Sequence, residues 1–339
     1  MHSESNPIGE FDLIERFFKT GNDLSITNPT VSLGIGDDCA LIKPLPDEEI
    51  AITSDMLVEG RHFFLDAEPE QLGRKALAVN LSDLAAMGAK PLGFTLAIAM
   101  PTVNTLWLEA FSKGLMATAK EFSCPLIGGD TTAGPLTLSI TAIGSIPKKT
   151  AIRRSGAQVG DDIWVSGVVG DARLALAALR HEITLSANDY QAVASRLHQP
   201  TPRIALGIAL RGIASAALDV SDGLLGDLMH ILKQSKVDAE ITLAHIPKSA
   251  TLQKQKIEIQ HQFAASGGDD YELCFTAPHS HHDAILDISK KLQIPLTKIG
   301  RIIAAKTQSP QVLLMDSDNR SLSSSETAKL LQSFDHFAK

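Results

Sequence analysis

Apolar runs of strand type alternate with helical patterns along most of this 339-residue chain. That alternation favours helices layered on sheets over an all-α or all-β architecture. At roughly 150 residues per domain, the length predicts about two domains, each with its own core. The sequence therefore predicts an α/β (α+β) fold with two domains.

The predicted elements divide at a basic, glycine-containing stretch, residues 147–160. The first half predicts strands at 31–33, 50–53, 94–100 and 136–146, and helices at 71–87 and 104–122. The second half predicts strands at 163–166, 216–220, 239–243 and 271–276, and helices at 171–180, 187–197, 202–213 and 223–233. The serine-rich segment 321–325 is expected to be a tail loop. We expect domains at 1–147 and 148–339.

Composition excludes several classes of protein. No apolar run reaches the ~18 residues needed to cross a bilayer, and the N-terminus has no secretory h-region. Three widely spaced cysteines, Cys39, Cys124 and Cys274, predict neither a disulfide framework nor a zinc knuckle. A net charge of −8 argues against nucleic acid as a partner. We expect a cytoplasmic protein with no membrane partner, in which Cys39 is a small buried residue.

Aspartates recur beside glycine or serine where strands are predicted to end. They are Asp37 and Asp38, Asp55 after Thr53 and Ser54, Asp130 after Gly128 and Gly129, Asp219 and Asp222 around Ser221, and Asp269 and Asp270. One interpretation is that each residue forms a turn or caps a helix. The other is that the strand ends meet at one crevice, where converging carboxylates need cations. The second interpretation predicts a set of Mg²⁺ ions.

A helical aspartate adds to this set. Asp83 follows Asn80 by three residues, so both lie on one helix face. Its neighbours are apolar or small, and a buried carboxylate needs a partner. An acidic protein with a metal cluster suggests an anionic substrate that arrives with Mg²⁺, such as a nucleoside triphosphate. No Walker A, dinucleotide or protein-kinase motif is present, so metal ions would have to neutralise the phosphates.

Two groups of histidines have different interpretations. His62 closely follows Asp55 in sequence, so it lies either at the rim of the same crevice or in a structural role. His279, His281 and His282 fall in a polar segment, which we interpret as a connection rather than a metal site.

The motifs resemble those of the thiamine-monophosphate kinase family, of the superfamily that includes aminoimidazole ribonucleotide synthetase. The resemblance runs nearly end to end through Gly9-Glu10-Phe11, Gly34-Ile35-Gly36-Asp37-Asp38-Cys39-Ala40, Ser54-Asp55, His62-Phe63, Lys75 to Ala89, Gly128-Gly129-Asp130-Thr131-Thr132, Arg154-Ser155-Gly156-Ala157, Asp219-Val220-Ser221-Asp222-Gly223-Leu224, Gly267-Gly268-Asp269-Asp270-Tyr271-Glu272-Leu273 and Phe334-Asp335-His336-Phe337. A series of motifs in this order along the chain is highly specific for the family. Two positions depart from the family's usual pattern: Asp269 stands where Glu is usual, and Ser333 where Gly is usual.

The resemblance implies phosphorylation of thiamine monophosphate to thiamine diphosphate, with ATP as co-substrate and several Mg²⁺ ions. It implies two α/β domains of the aminoimidazole ribonucleotide synthetase-like type, the N-terminal domain pairing in a homodimer and the C-terminal domain completing the nucleotide and substrate site. The implied metal ligands are Asp38, Thr53, Ser54, Asp55, Asp83, Asp130, Asp219 and Asp222. The implied ATP contacts are Gly129, Arg154 and Ser221, and the implied acceptor contacts are His62, Asp269 and Phe334.

The chemistry of the phosphate acceptor is consistent with direct transfer of the phosphoryl group. The acceptor is already an oxyanion, so the reaction needs no side-chain base or covalent nucleophile. Two alternatives within the superfamily lack their expected marks: a selenophosphate synthetase would carry a reactive cysteine or selenocysteine near the N-terminus, and a hydrogenase-maturation dehydratase would end in cysteine. Another ATP-dependent synthetase of the superfamily and a non-catalytic divalent-cation-binding protein are the remaining alternatives.

Overall fold

The computed structural model describes residues 10–19, 30–35, 39–316, 318 and 320–331. The chain forms two compact units: unit 1 comprises Met1–Leu84 and Lys90–Lys148, and unit 2 comprises Ala85–Ala89 and Lys149–Lys339. The predicted site residues Asp38 and Phe334 lie outside the described residues, as does Ser333.

Unit 1 begins with a short helix, α1 (Glu10–Leu13), that continues as a π-helix (Ile14–Lys19). A two-stranded antiparallel ribbon follows, β1 (Val31–Leu33) with β2 (Leu41–Ile42). The longer elements are β3 (Glu48–Val58), α2 (Pro69–Ala86), β4 (Lys90–Met100), α3 (Thr105–Glu121), β5 (Leu126–Ala133) and β6 (Thr137–Pro147).

The main sheet of unit 1 has one buried and one open face. In the part of the chain that the structure describes, four strands form it in the order β3-β6-β4-β5, antiparallel except for the β4–β5 pair. Alternate residues such as Leu96 and Ile140 are buried on one face. On the other face Ile50, Ile52 and Met56 of β3 are 41%, 68% and 56% exposed. An antiparallel sheet with one covered face gives this alternation.

Two glycines let α2 and α3 approach closely. A Cβ on Gly73 would lie 2.1 Å from the Phe111 carbonyl oxygen, and one on Gly114 would lie 1.9 Å from the Glu70 carbonyl oxygen. Any side chain at either position would push the helix backbones apart. The start of α3 is fixed by Asn104, whose side chain accepts the Trp107 N–H at 3.1 Å.

Unit 2 is built around a second sheet. Its strands are β7 (Asp162–Ser166), β8 (Ala216–Asp219), β9 (Asp238–Thr242), β10 (Leu273–Ala277), β11 (Leu296–Ile303) and β12 (Val312–Met315). Its helices are α4 (Asp171–Leu179), α5 (Ala187–His198), α6 (Ile204–Ala209), α7 (Leu224–Ser235), α8 (Ala250–Gln253), α9 (Ile257–Ser266), α10 (His282–Leu292) and α11 (Ser324–Leu330). The six described strands lie in the order β12-β9-β11-β7-β10-β8, and only β12 and β9 are parallel. Every residue of β7 and β10 is buried, and Trp164 stacks on Phe275 with ring centroids 6.4 Å apart.

Most of the predicted elements are present, but β3 and β4 are longer than predicted, and β5 was not predicted as a strand. β3 continues through Asp55 to Val58, and Asp130 lies inside β5. The prediction that these two aspartates follow the ends of strands is therefore wrong. Both segments pair with a full-length neighbour, and this pairing outweighs the weak strand preference of Asp, Ser and Gly.

The structure corrects two further predictions. Cys39 is exposed, although its small apolar character predicts burial. The serine-rich segment begins a helix rather than forming only a loop: Ser323 and Glu326 make a reciprocal capping box at the start of α11. None of the described helices combines the length and the hydropathy needed to cross a membrane.

Candidate active site

In unit 1, α2 brings two polar side chains against β3. The Asn80 amide oxygen accepts the Asp55 backbone N–H at 3.1 Å. One turn further along α2, Asp83 Oδ2 accepts the hydroxyl hydrogen bond of Thr53 at 2.5 Å. Thr53 and Asp55 lie on the same side of β3 because side chains alternate along a strand. The structure therefore brings Thr53, Asp55 and Asp83 together, and Asn80 and Asp83 lie on one helix face, as their spacing predicts.

Ser54 lies on the other side of β3. Its hydroxyl donates to the Ile140 carbonyl oxygen at 3.1 Å and lies 3.0 Å from Thr141 Oγ1. The Ser54 side chain is thus separated from Thr53 and Asp83 by the sheet itself.

Asp130 is also separate from the β3 residues. It pairs with Ala97, which lies opposite Ser139, which in turn lies opposite Met56. Two strands stand between Asp130 and β3, so three strand-to-strand spacings of ~4.8 Å, about 14 Å in all, separate them. Asp130 lies on the exposed side of the sheet. Within a single copy of unit 1, Asp130 therefore lies apart from Asp55 and Asp83, and the convergence of these aspartates on one metal site stays a prediction.

Gly129 precedes Asp130 at a point where no side chain fits. A Cβ there would lie 1.9 Å from the Leu96 carbonyl oxygen. The backbones of β4 and β5 can pair through this position only because residue 129 is glycine.

His62 closes the turn that follows β3. Its Nδ1 accepts the Val58 backbone N–H at 2.9 Å, so the neutral ring carries its proton on Nε2. This bond supports the structural role that the sequence left open. It also fixes the direction of the ring, which a substrate contact through Nε2 would need.

In unit 2, one loop carries three of the predicted site residues. Asp219 is buried at the end of β8, and Ser221 and Asp222 follow it before α7 begins. The loop backbone is held by Asp227 of α7, whose Oδ2 accepts the N–H groups of Ser221, Asp222 and Gly223 at 3.0, 3.0 and 3.1 Å. Burial raises the pKa of Asp227 to about 7, although these backbone bonds favour its ionised form.

A second loop, residues 267–272, is bonded to the first. The Asp269 N–H donates to the Ser221 carbonyl oxygen at 2.8 Å, and the Tyr271 N–H donates to the Val220 carbonyl oxygen at 2.8 Å. Asp269 and Tyr271 both have positive φ, 65° and 49°, which is uncommon for residues other than glycine. The structure thus brings Asp269 beside Ser221.

Two residues of this second loop to which the sequence assigns no individual role, Asp270 and Glu272, carry buried carboxylates. Asp270 accepts the Gly170 N–H through both carboxylate oxygens, at 3.0 and 2.9 Å. Burial raises the pKa of Asp270 well above its usual value. Glu272 pairs with Arg196 and Arg203, each at 2.5 Å, and accepts the Ser166 hydroxyl. The signal was present: two acids alternate directly before an apolar strand, which points them inward.

Arg154 lies in the same unit on an exposed segment. The Ser235 hydroxyl of α7 donates to the Arg154 carbonyl oxygen at 3.3 Å. Burial and then Arg154 lower the pKa of His230, while Asp222 opposes this shift. The charges of Arg154 and Asp222 thus act on His230 in opposite directions.

The histidine segment is more organised than a simple connection. Ligand atoms of Asp162, His279 and His282 lie within 4.8 Å of one another. Lys298 already pairs with Asp162 at 2.6 Å, and His279 Nδ1 lies 2.8 Å from the same carboxylate. His281 instead contacts the Ile213 carbonyl oxygen through Nδ1 at 3.0 Å. The buried Asp162 carboxylate therefore binds Lys298 and lies beside His279, just before α10 begins.

The chain matches two family models and close relatives of known name. AIR synthase related protein, N-terminal domain, matches residues 36–146, and the C-terminal domain of the same name matches residues 158–312. The thiamine-monophosphate kinase of Haemophilus influenzae is 45% identical over 296 residues, covering 87% of this chain and 89% of the relative. That of Salmonella typhimurium is 46% identical over 298 residues, covering 87% and 91%.

Solved structures give the same result. Thiamine-monophosphate kinase from Stenotrophomonas maltophilia K279a has a TM-score of 0.83 and 43% identity, covering 93% of this chain and 98% of that one. AaThiL complexed with AMPPCP and TMP has a TM-score of 0.72 and 27% identity, covering 97% of each chain. The Escherichia coli hydrogenase maturation protein HypE shares the fold at a TM-score of 0.74 but only 18% identity. Identity of this extent over most of the chain shows that it belongs to the thiamine-monophosphate kinase family.

Proposed function

We propose that this protein transfers the γ-phosphoryl group of ATP directly to thiamine monophosphate, giving thiamine diphosphate and ADP. The observation that carries this proposal is the likeness over 97% of the chain to AaThiL complexed with AMPPCP and TMP. AMPPCP has the shape of ATP with a methylene group between the β- and γ-phosphorus atoms, so that pair of ligands matches a donor and an acceptor.

The acceptor chemistry needs alignment rather than proton removal. An oxygen of the thiamine phosphate forms a bond to the γ-phosphorus, and the bond from that phosphorus to the β–γ bridging oxygen breaks. Because the acceptor oxygen is already anionic, no nucleophile or general base is required. The protein must instead hold two anions in line against their mutual repulsion.

The proposed nucleotide contacts are Gly129 in unit 1 and Arg154 and Ser221 in unit 2. The proposed acceptor contacts are His62, Asp269 and Phe334. Asp269 supports this assignment because its carboxylate suits a cationic thiazolium ring and its backbone is bonded to Ser221. The Tyr271 hydroxyl lies 3.4 Å from Asp269 Oδ1, which restricts the direction of that carboxylate.

Several Mg²⁺ ions are proposed as cofactors. The donors at the candidate positions are carboxylate and hydroxyl oxygens, which are the ligands that Mg²⁺ prefers, and Thr53 and Asp83 already lie in contact. The residues proposed to hold the ions are Asp38, Thr53, Ser54, Asp55, Asp83, Asp130, Asp219 and Asp222. The ions would neutralise the phosphate charges and polarise the transferred group. The separation of Asp130 from Asp55 supports more than one ion.

A homodimer formed through unit 1 is proposed as the assembly. The open sheet face exposes Ile50, Ile52 and Met56 side by side. Aligned exposed apolar side chains on a sheet are typical of protein interfaces. Ile52→Asp should convert a dimer into a monomer in sedimentation equilibrium, whereas Leu106→Asp, an equally exposed leucine on α3, should not. A wild-type monomer at all concentrations would contradict this assembly.

The function is tested with purified protein, ATP, Mg²⁺ and thiamine monophosphate, assayed for thiamine diphosphate and ADP. We expect the two products in equal amounts, and none with thiamine replacing its monophosphate. A Mg²⁺-dependent rise in melting temperature without any turnover would favour the alternative of a cation-binding protein.

A further inference from the structure

The loop that carries Ser221 and Asp222 is fastened to α7 by a single carboxylate oxygen. Asp227 is 5% exposed, and its Oδ2 accepts three consecutive backbone N–H groups at 3.0 to 3.1 Å. Gly223 ends this run with φ 127°, and a Cβ there would lie 2.8 Å from the Ser266 backbone. The loop therefore has little room for another path.

Asp222 and Asp227, the two carboxylates of this segment, have different roles. Asp222 is half-buried and proposed as a metal ligand, whereas Asp227 is turned toward the backbone of the loop. One of the three donors is the N–H of Asp222 itself. The position of the Asp222 main chain is thus set by Asp227.

Backbone carbonyl groups of the same loop are bonded to the second loop, residues 267–272. Ser221 accepts the Asp269 N–H and Val220 accepts the Tyr271 N–H, both at 2.8 Å. A shift of residues 221–223 would therefore move Asp269 as well. The backbone N–H groups of the loop therefore bond to Asp227, and the Ser221 carbonyl oxygen bonds to Asp269, the proposed thiamine contact.

We propose that Asp227 is a positioning residue that sets the proposed nucleotide contact Ser221, the proposed metal ligand Asp222 and, through Ser221, the acceptor contact Asp269. It touches none of the reacting atoms. The proposal rests on the proposed function for its kinetic part. The three N–H bonds give it a role that a purely space-filling aspartate would not have.

Asp227→Ala removes the shared acceptor and should lower kcat/KM for both ATP and thiamine monophosphate by about 10- to 100-fold, as expected when a supporting contact is lost. The Mg²⁺ concentration for half-maximal rate should rise in parallel. Asp227→Asn keeps one oxygen acceptor and should recover most of the loss.

The matched control is Asp238→Ala. Asp238 is also buried in unit 2 and also accepts two backbone N–H groups, from Lys306 and Gln311 at 3.0 and 2.8 Å. It lies on β9, and three strands of the sheet separate β9 from β8. This control should lose stability but keep its KM values and its Mg²⁺ dependence.

Kinetic constants and melting temperatures with and without AMPPCP and Mg²⁺ decide the outcome. We expect Asp227→Ala to lose most of the AMPPCP-dependent rise in melting temperature, and Asp238→Ala to keep it. Equal ligand-dependent shifts and equal KM values in the two variants would overturn the proposal. If Asp227→Ala does not fold, Asp227→Leu, which fills the same space without an acceptor oxygen, is compared with Asp238→Leu by the same criteria. Absence of thiamine diphosphate formation by the wild type would instead overturn the proposed function, and the AMPPCP-dependent shift would still decide the role of Asp227.

Discussion

The two units hold their predicted site residues in different ways. In unit 2, Ser221, Asp222 and Asp269 lie on two loops whose backbones are bonded to each other and to buried carboxylates. In unit 1, Thr53 and Asp55 lie on a regular strand, and their contacts come from α2. In unit 2 the buried carboxylates therefore fix the backbone of the site loops. In unit 1 the site side chains project from β3 and α2, whose backbone is held by ordinary sheet and helix hydrogen bonds. Substitutions in the supporting residues of unit 2 should affect stability and geometry together, and those in unit 1 should affect mainly ligand binding.

The largest expected effect is at Glu272. Glu272→Gln leaves Arg196 and Arg203 without their shared buried anion, and breaking such a pair costs about 3 to 5 kcal/mol of unfolding free energy. Urea unfolding measures the loss. The control Glu240→Gln breaks a half-exposed pair with Arg301, which should cost about 1 kcal/mol or less. Equal losses in the two variants would show that the network around Glu272 does not anchor the loop.

The next effect concerns the proposed metal ligands of both units. Asp55→Asn, Asp83→Asn, Asp130→Asn and Asp219→Asn should fold but lose about 100- to 1000-fold in turnover, because each removes a carboxylate that is proposed to hold a Mg²⁺ ion. Higher Mg²⁺ should restore only part of the rate. Asp287→Asn, on the exposed side of α10, is the control and should be unchanged. Near-normal activity in all four variants would favour turn formation and capping as the role of these residues.

The third effect separates acceptor from nucleotide recognition. Phe334→Ala should raise the KM for thiamine monophosphate about tenfold, the equivalent of ~1 to 2 kcal/mol for a lost aromatic contact with the cationic ring. The KM for ATP should stay nearly constant, and Phe334→Tyr should behave like the wild type. Equal rises in both KM values would mean that the residue only packs the C-terminus.

The smallest effect is a pair of opposite pH slopes within unit 2. Burial raises the pKa of Asp171, so its stabilising contribution is present below pH ~4 and is lost as pH rises through the folded pKa. Burial opposes ionisation of Asp162, but Lys298 and His279 outweigh it and lower the pKa, so this contribution is present above pH ~4 and is lost as pH falls. Unfolding free energies between pH 3 and 7 should therefore diverge from wild type in opposite directions for Asp171→Asn and Asp162→Asn. Parallel curves would contradict these assignments.

The sequence was most informative where periodicity and chemistry agreed. The spacing of Asn80 and Asp83 predicts one helix face, and the structure places both against β3. The apolar strands of unit 2 and the helix at 171–180 were equally clear. The family motifs locate residues in sequence, and they name Asp222 and Asp269 before any geometry is known.

The remaining features depend on contacts that periodicity does not encode. β11 and α9 were not predicted because their polar and apolar residues are mixed, whereas the apolar run of β12 and the amphipathic pattern of α10 are signals that the prediction missed. The separation of Asp130 from Asp55 follows from the strand order, which no local pattern specifies. The supporting roles of Asp227 and Asp270 could not be predicted, because they depend on the backbone N–H groups that fold toward each buried carboxylate.

Stereochemistry at the transferred phosphorus tests the central claim most directly. ATP with a γ-phosphorus made chiral by sulfur and oxygen isotopes is incubated with thiamine monophosphate, and the configuration of the terminal phosphorus of the product is determined. Direct transfer between the two anions predicts inversion of configuration. Net retention, or isolation of a phosphorylated form of the protein as an intermediate, would contradict the account.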